Sequence, residues 1–218
     1  LFGSRITAAP QTEAETLARC YSLASRLARL THGHPTAIHA AGAFATLIAA
    51  LLAGRSWDIA LARVDELLAA HPSASAVREA LARAADATGA GDATTDPTVR
   101  LGEGWEAHEA LAIAVHVARA ASAPMAAPSA ANHPADAGMS PSAAALLRAV
   151  NHSGDSDGCG LMTGCLIGAS RGLAGVPSTW LAQLELATVI DDHAERLRAA
   201  GSLLVRPERP ERVATTSV

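Results

Sequence analysis

Asn151-His152-Ser153-Gly154-Asp155-Ser156-Asp157-Gly158-Cys159-Gly160 lies between two helical segments and carries two aspartates two residues apart, bracketed by glycine. In an extended turn, alternate residues can aim two carboxylates at one point. Such a pair suits a hard divalent cation, which takes oxygen ligands. Glycine on either side lets the backbone turn sharply and approach a ligand closely. The same composition also describes a solvated, helix-capping turn. Downstream, Gly160, Gly164, Gly168 and Gly172 recur every fourth residue. On a helix that spacing makes one bare side. Each glycine costs about 1 kcal/mol against alanine in a helix interior. Close packing of a neighbouring helix is the expected compensation, holding the aspartate loop in place.

Outward from this stretch the signals are helical. Thr12 with Glu15 has capping-box spacing, and periodic apolar residues follow through Leu30. Pro35 suits the first turn of a second helix that stops at Gly54. Ser56 caps a third, bounded by Pro72, and a fourth covers 75–87. Residues 89–104 read as a loop, and a fifth helix covers 106–121. Helix returns over 142–150, 159–171 and 178–200. No period-two strand is evident. The expectation is an all-α, single-domain chain over residues 1–201. Within it, 122–141 is a low-complexity Ala/Pro/Ser/Gly insertion, and 202–218 is a disordered tail.

Composition narrows the function. The chain has 218 residues, enough for one domain with a real core. Hydrophobic residues make up 50% but aromatics only 3%, so the apolar content is mainly alanine and leucine, which favours helix. The net charge is -4, and the 17 basic residues are all arginine and scattered, which argues against direct nucleic-acid binding. Three unevenly spaced cysteines form neither a disulfide framework nor a zinc pattern. The apolar runs near 41–53 and 161–169 read as too short to span a membrane. A reducing, cytoplasmic setting is the expectation.

Four ordered motifs carry a family resemblance. They are Ala8-Ala9-Pro10, then Thr31-His32-Gly33-His34-Pro35, then Gly102-Glu103-Gly104-Trp105 leading into Glu109 and Ala110. The fourth is Ala149 to Asp157 with the glycines that follow, on to Gly175-Val176-Pro177. Together they make the chain resemble the ADP-ribosylglycohydrolase family from its first residues to about Gly201. The resemblance implies a helical orthogonal bundle. It further implies a hydrolase that cleaves the glycosidic bond between ADP-ribose and a protein side chain or related acceptor. The family's site uses two Mg²⁺ or Mn²⁺ ions, and its partner is ADP-ribose or an ADP-ribosylated protein.

By that resemblance Asp155 and Asp157 are the metal ligands and catalytic carboxylates. Gly102, Gly104, Trp105, His152, Ser153 and Gly154 are the substrate-binding candidates. Trp105 reads either as a stacking face or as a core aromatic. Glu109 reads as a helix-face residue, and His32 and His34 as supporting. Two departures stand out. The family carries Ser or Thr directly after the second aspartate, a further ligand, where this chain has Gly158. A hydroxyl restored at 158 is therefore expected to tighten metal binding. The family's Thr-Asp-Asp ligand segment has no counterpart here, and Thr94-Thr95-Asp96 reads as a turn. The chain thus reads as a fragment, a processed product or a truncated relative, with about half a metal site. The rival reading is a catalytically impaired ADP-ribose-binding or interaction module.

Overall fold

The computed structural model describes residues 12–86, 97–122 and 139–204. Ala8-Ala9-Pro10, Thr94-Thr95-Asp96, most of the low-complexity insertion and the tail beyond 204 lie outside the described residues. The protein is all-α, with no strand among the described residues. It divides into two compact units, Leu1–Val176 and Pro177–Val218.

In the first unit, α1 spans Glu13–Ala28 and starts with the expected capping box. The Glu15 backbone N–H donates to Thr12 Oγ1 at 3.2 Å, and the Thr12 N–H to Glu15 Oε2 at 2.8 Å. Helix α2 spans Pro35–Leu52, with His34 as its N-cap and Pro35 in its first turn. It ends where Gly54 takes a φ of 76°, a conformation open to glycine. Helix α3 covers Trp57–Ala69 behind the Ser56 cap, and α4 covers Ser75–Asp86 after a 3-10 turn at Pro72–Ala74. The short α5, Thr98–Leu101, occupies part of the stretch expected to be loop. Helices α6 (Ala107–Ser122), α7 (Pro141–Val150) and α8 (Ser156–Arg171) complete the unit.

The core runs through α2, α3, α4, α6 and α8. Leu47, Leu68, Leu111, Ile113, Leu166 and Ile167 are fully buried there. Helix α6 is its centre, with every residue from Ala110 to Ala118 buried. A helix apolar all round belongs inside. By length and composition alone α2 is also apolar enough to cross a membrane, although its runs read as too short. Half of that window is buried inside the unit, against neighbouring helices.

Two expectations change. The glycine stripe on α8 is not one packing face. A Cβ on Gly160 would stand 2.5 Å from Val150 Cγ1, and one on Gly164 would make an ordinary 3.8 Å contact with Leu146. Gly168 has open space around it, and Gly172 ends the helix with a φ of 66°. Only Gly160 is needed for close packing. In the second unit, the helix expected over 178–200 is broken. A single turn, α9 (Ser178–Leu181), precedes α10 (Ala187–Leu204), and between them Leu186 takes a φ of 58°. A positive φ at a leucine interrupts a right-handed helix. Helix α10 continues past 201 into the stretch expected to be tail.

Candidate functional site

The site is built where the loop before α6 meets the start of α8. Helix α8 begins at Ser156, three residues earlier than its expected start at 159, so the two aspartates do not alternate along an extended turn. Asp155 is the N-cap residue and Asp157 lies in the first turn. Carboxylates are favoured there by the helix dipole and its unpaired N–H groups. The Asp155 side chain makes no capping bond to that turn. Its carboxylate folds over Gly158 instead. A Cβ at 158 would stand 2.6 Å from Asp155 Oδ2 and 3.2 Å from Cγ.

A backbone clamp joins the two loops. The Asp155 N–H donates to the Glu103 carbonyl oxygen at 2.8 Å. This approach requires glycine at 154, where a Cβ would fall 1.7 Å from that same oxygen. Gly104 is buried at a φ of 83°, and a Cβ there would meet Cys159 Sγ at 2.8 Å. Gly102 takes a φ of 94°, tight against the Glu109 side chain. All three glycines are used for close approach, as their motif suggested.

Glu109 lies on a helix, as its position in the sequence suggested, and also reaches the loop. It stands in the first turn of α6, and its carboxylate reaches back. Gly104 N–H donates to Glu109 Oε2 at 3.2 Å. Asp155, Asp157 and Glu109 all act on the buried Cys159. Burial first, then Asp155, Asp157 and Glu109, push its thiol up to about 12. Cys159 therefore stays a neutral thiol at physiological pH. The spacing from Gly102 to Glu109 was the available signal, since Gly-x-Gly before a helix leaves room for a first-turn acid to fold back.

Trp105 is not a core aromatic. It is 68% exposed, and its Nε1–H donates to Glu103 Oε2 at 3.2 Å. The core indole is Trp57. His152 accepts the Gly154 N–H at Nδ1, 3.2 Å, which assigns the proton of the neutral ring to Nε2. That Nε2 is buried and has no hydrogen-bond partner among the described residues. Ser153 is exposed on the same turn. His34 is spent on capping α2 through Thr36, and His32 pairs with Thr31 Oγ1 at 2.8 Å.

The donor set suits a hard cation in kind. Asp155 and Asp157 are hard oxygen donors. Among the described residues, however, no group of three or more His, Cys, Asp or Glu side chains is placed to hold a metal ion. Mg²⁺ keeps several waters and is commonly held by only one or two carboxylates, so the pair could hold such an ion with water completing its shell.

The all-helical fold and the ordered motifs are those of a class of hydrolases acting on ADP-ribosylated substrates. The chain belongs to the ADP-ribosylglycohydrolase family, whose model matches residues 3–206. No curated protein and no solved structure matches the chain significantly.

Proposed function

We propose that the Asp155/Asp157 end of α8, with the Gly102–Trp105 loop, forms the substrate-facing wall of a site that hydrolyses the glycosidic bond of an ADP-ribosyl group. The observation that carries this reading is the clamp between Asp155 and Glu103, which holds the loop bearing the exposed Trp105 against the acidic start of α8, near in sequence to a buried His152 N–H with no partner among the described residues. Each has a use. Trp105 offers a face for a base or ribose. His152 Nε2–H is a buried donor without an acceptor among the described residues, a state that costs about 1–3 kcal/mol until a partner supplies one. Asp155 and Asp157 stabilise the positive charge that develops at the anomeric carbon in an oxocarbenium-like transition state. Asp155 and Asp157 would hold Mg²⁺ or Mn²⁺, and the ion would supply Lewis acidity and activate a water.

A second reading is favoured by two observations, the absence among the described residues of a cluster of three metal-ligating side chains and the glycine at 158. It is an ADP-ribose-binding module without hydrolytic activity. Single-turnover release of ADP-ribose from arginine-, serine- and DNA-linked substrates, with Mg²⁺ or Mn²⁺, separates the two. Metal-dependent release that disappears in Asp155→Asn/Asp157→Asn supports the hydrolase. Binding without release establishes the module. Release that survives the double variant contradicts both.

A further inference from the structure

A cavity of about 390 Å³ opens between α1, the start of α2 and the turn at Pro72–Ala74. It shares no residue with the Asp155 constellation. Arg26 and Arg29 line it at the end of α1, with His39 of α2 and His71 before the turn. No carboxylate lines it. Neither arginine has a carboxylate partner among the described residues. The end of α1 favours cations through its dipole. That accounts for the charge, but not for the other donors that converge there.

Those donors form a chain with one hydrogen left over. His39 Nδ1 is 2.6 Å from Tyr21 Oη, and His39 Nε2 is 2.9 Å from Ser73 Oγ. Tyr21 and His39 are buried, at 5% and 9% exposure. Phenol, neutral imidazole and hydroxyl carry three hydrogens between them, and the two bonds use two. If Tyr21 donates to Nδ1, the hydroxyl hydrogen of the exposed Ser73 is left for solvent or a ligand at the cavity mouth. If Ser73 donates to Nε2, the Tyr21 hydrogen is unspent. In either tautomer one donor remains. Ser25 Oγ adds another, buried and without a partner among the described residues. Gly42 makes this packing possible, since a Cβ there would lie 2.5 Å from Ser25 Oγ and 2.8 Å from the Tyr21 ring. The His71 ring stacks on Tyr21 at 5.6 Å and closes one side.

We infer that this cavity binds a small phosphate-bearing anion, a phosphomonoester or diphosphate group, between Arg26, Arg29, Ser25 and the Tyr21–His39–Ser73 chain. Phosphate oxygens accept several hydrogen bonds at once, and guanidinium groups match their geometry. A site with surplus donors and no acidic side chain selects for such a ligand and against a cation.

The test is calorimetric titration of the whole chain with inorganic phosphate, pyrophosphate and acetate. Saturable binding of phosphate or pyrophosphate is expected, tighter than acetate and weakened at least about tenfold in Arg26→Gln/Arg29→Gln, the equivalent of about 1.4 kcal/mol. Tyr21→Phe, which removes one hydroxyl from the chain, should weaken it as well. Asp155→Asn/Asp157→Asn should leave it unchanged, which keeps this site separate from the proposed hydrolytic one. No saturable binding, equal affinity for acetate, or binding unaffected by the arginine variant would overturn the inference. So would binding lost with the aspartates.

Discussion

Gly154→Ala is the sharpest perturbation of the site. A methyl group at 154 would stand 1.7 Å from the Glu103 carbonyl oxygen, 2.6 Å from its carbon and 2.9 Å from its Cα. A carbon and an oxygen in contact sit roughly 3.3 Å apart or more, so the loops must separate by about 1.5 Å. All three obstructing atoms are backbone and cannot swing aside. The 2.8 Å bond from Asp155 N–H to Glu103 is then lost. Loss of the bond costs about 1 kcal/mol, and the forced backbone shift about 1–3 kcal/mol, together about 2–4 kcal/mol. For a chain of this size that is a fall in Tm of about 4–16 °C. Thermal unfolding followed by far-UV circular dichroism measures it. Ser153→Ala, on the same turn but exposed, serves as the control and should stay within about 0.5 kcal/mol of wild type. A Gly154→Ala protein that melts with wild type would refute the clamp as the element holding the two loops together.

Gly158→Ser meets the Asp155 carboxylate rather than strained backbone, so the variant should fold, rotate that carboxylate away and gain a hydroxyl ligand. Tighter Mn²⁺ binding by calorimetry is expected, and unchanged affinity in a folded variant removes position 158 from the ligand set. Cys159 should resist iodoacetamide at pH 8 while Cys165 reacts, because Cys159 is buried with its thiol held near 12 and Cys165 is exposed. Mass spectrometry of the native protein checks this, and rapid labelling of Cys159 would contradict the packing around it. His39 is held below 6.5, first by burial, then by His71 and Arg29. The unfolded chain therefore binds a proton more readily. Stability from this group is fully present above pH 6.5 and is lost as pH falls through the lower folded value. Denaturation midpoints measured across that range should decline on acidification, and less steeply in His39→Gln.

Much of the fold was legible because its signals are local. The Thr12–Glu15 box, the Pro35 start, the Gly54 stop and the Ser56 cap act within a few residues, and each stands where the sequence placed it. What was not legible depends on distant partners. Gly154 and Glu103 lie far apart in the chain, so nothing local shows that one backbone touches the other. The fold-back of Glu109 depends on positive φ at Gly102 and Gly104, which a sequence permits without requiring. Helix α8 was started late because Ser156, Asp157 and Gly158 are weak helix formers, yet the clamp at Asp155 holds them in its first turn. The Tyr21–His39–Ser73 chain left no periodic signal, since its members come from α1, α2 and a turn.

The most direct measurement is titration of ADP-ribose into the chain in the presence and absence of Mn²⁺, for wild type and for Asp155→Asn/Asp157→Asn. Saturable binding that strengthens with Mn²⁺ is expected in the wild type, with that Mn²⁺ dependence lost in the double variant and both proteins equally helical. ADP-ribose binding that is identical in the two proteins, or absent from a folded wild type, would contradict the assignment of the α8 start as the ADP-ribosyl site.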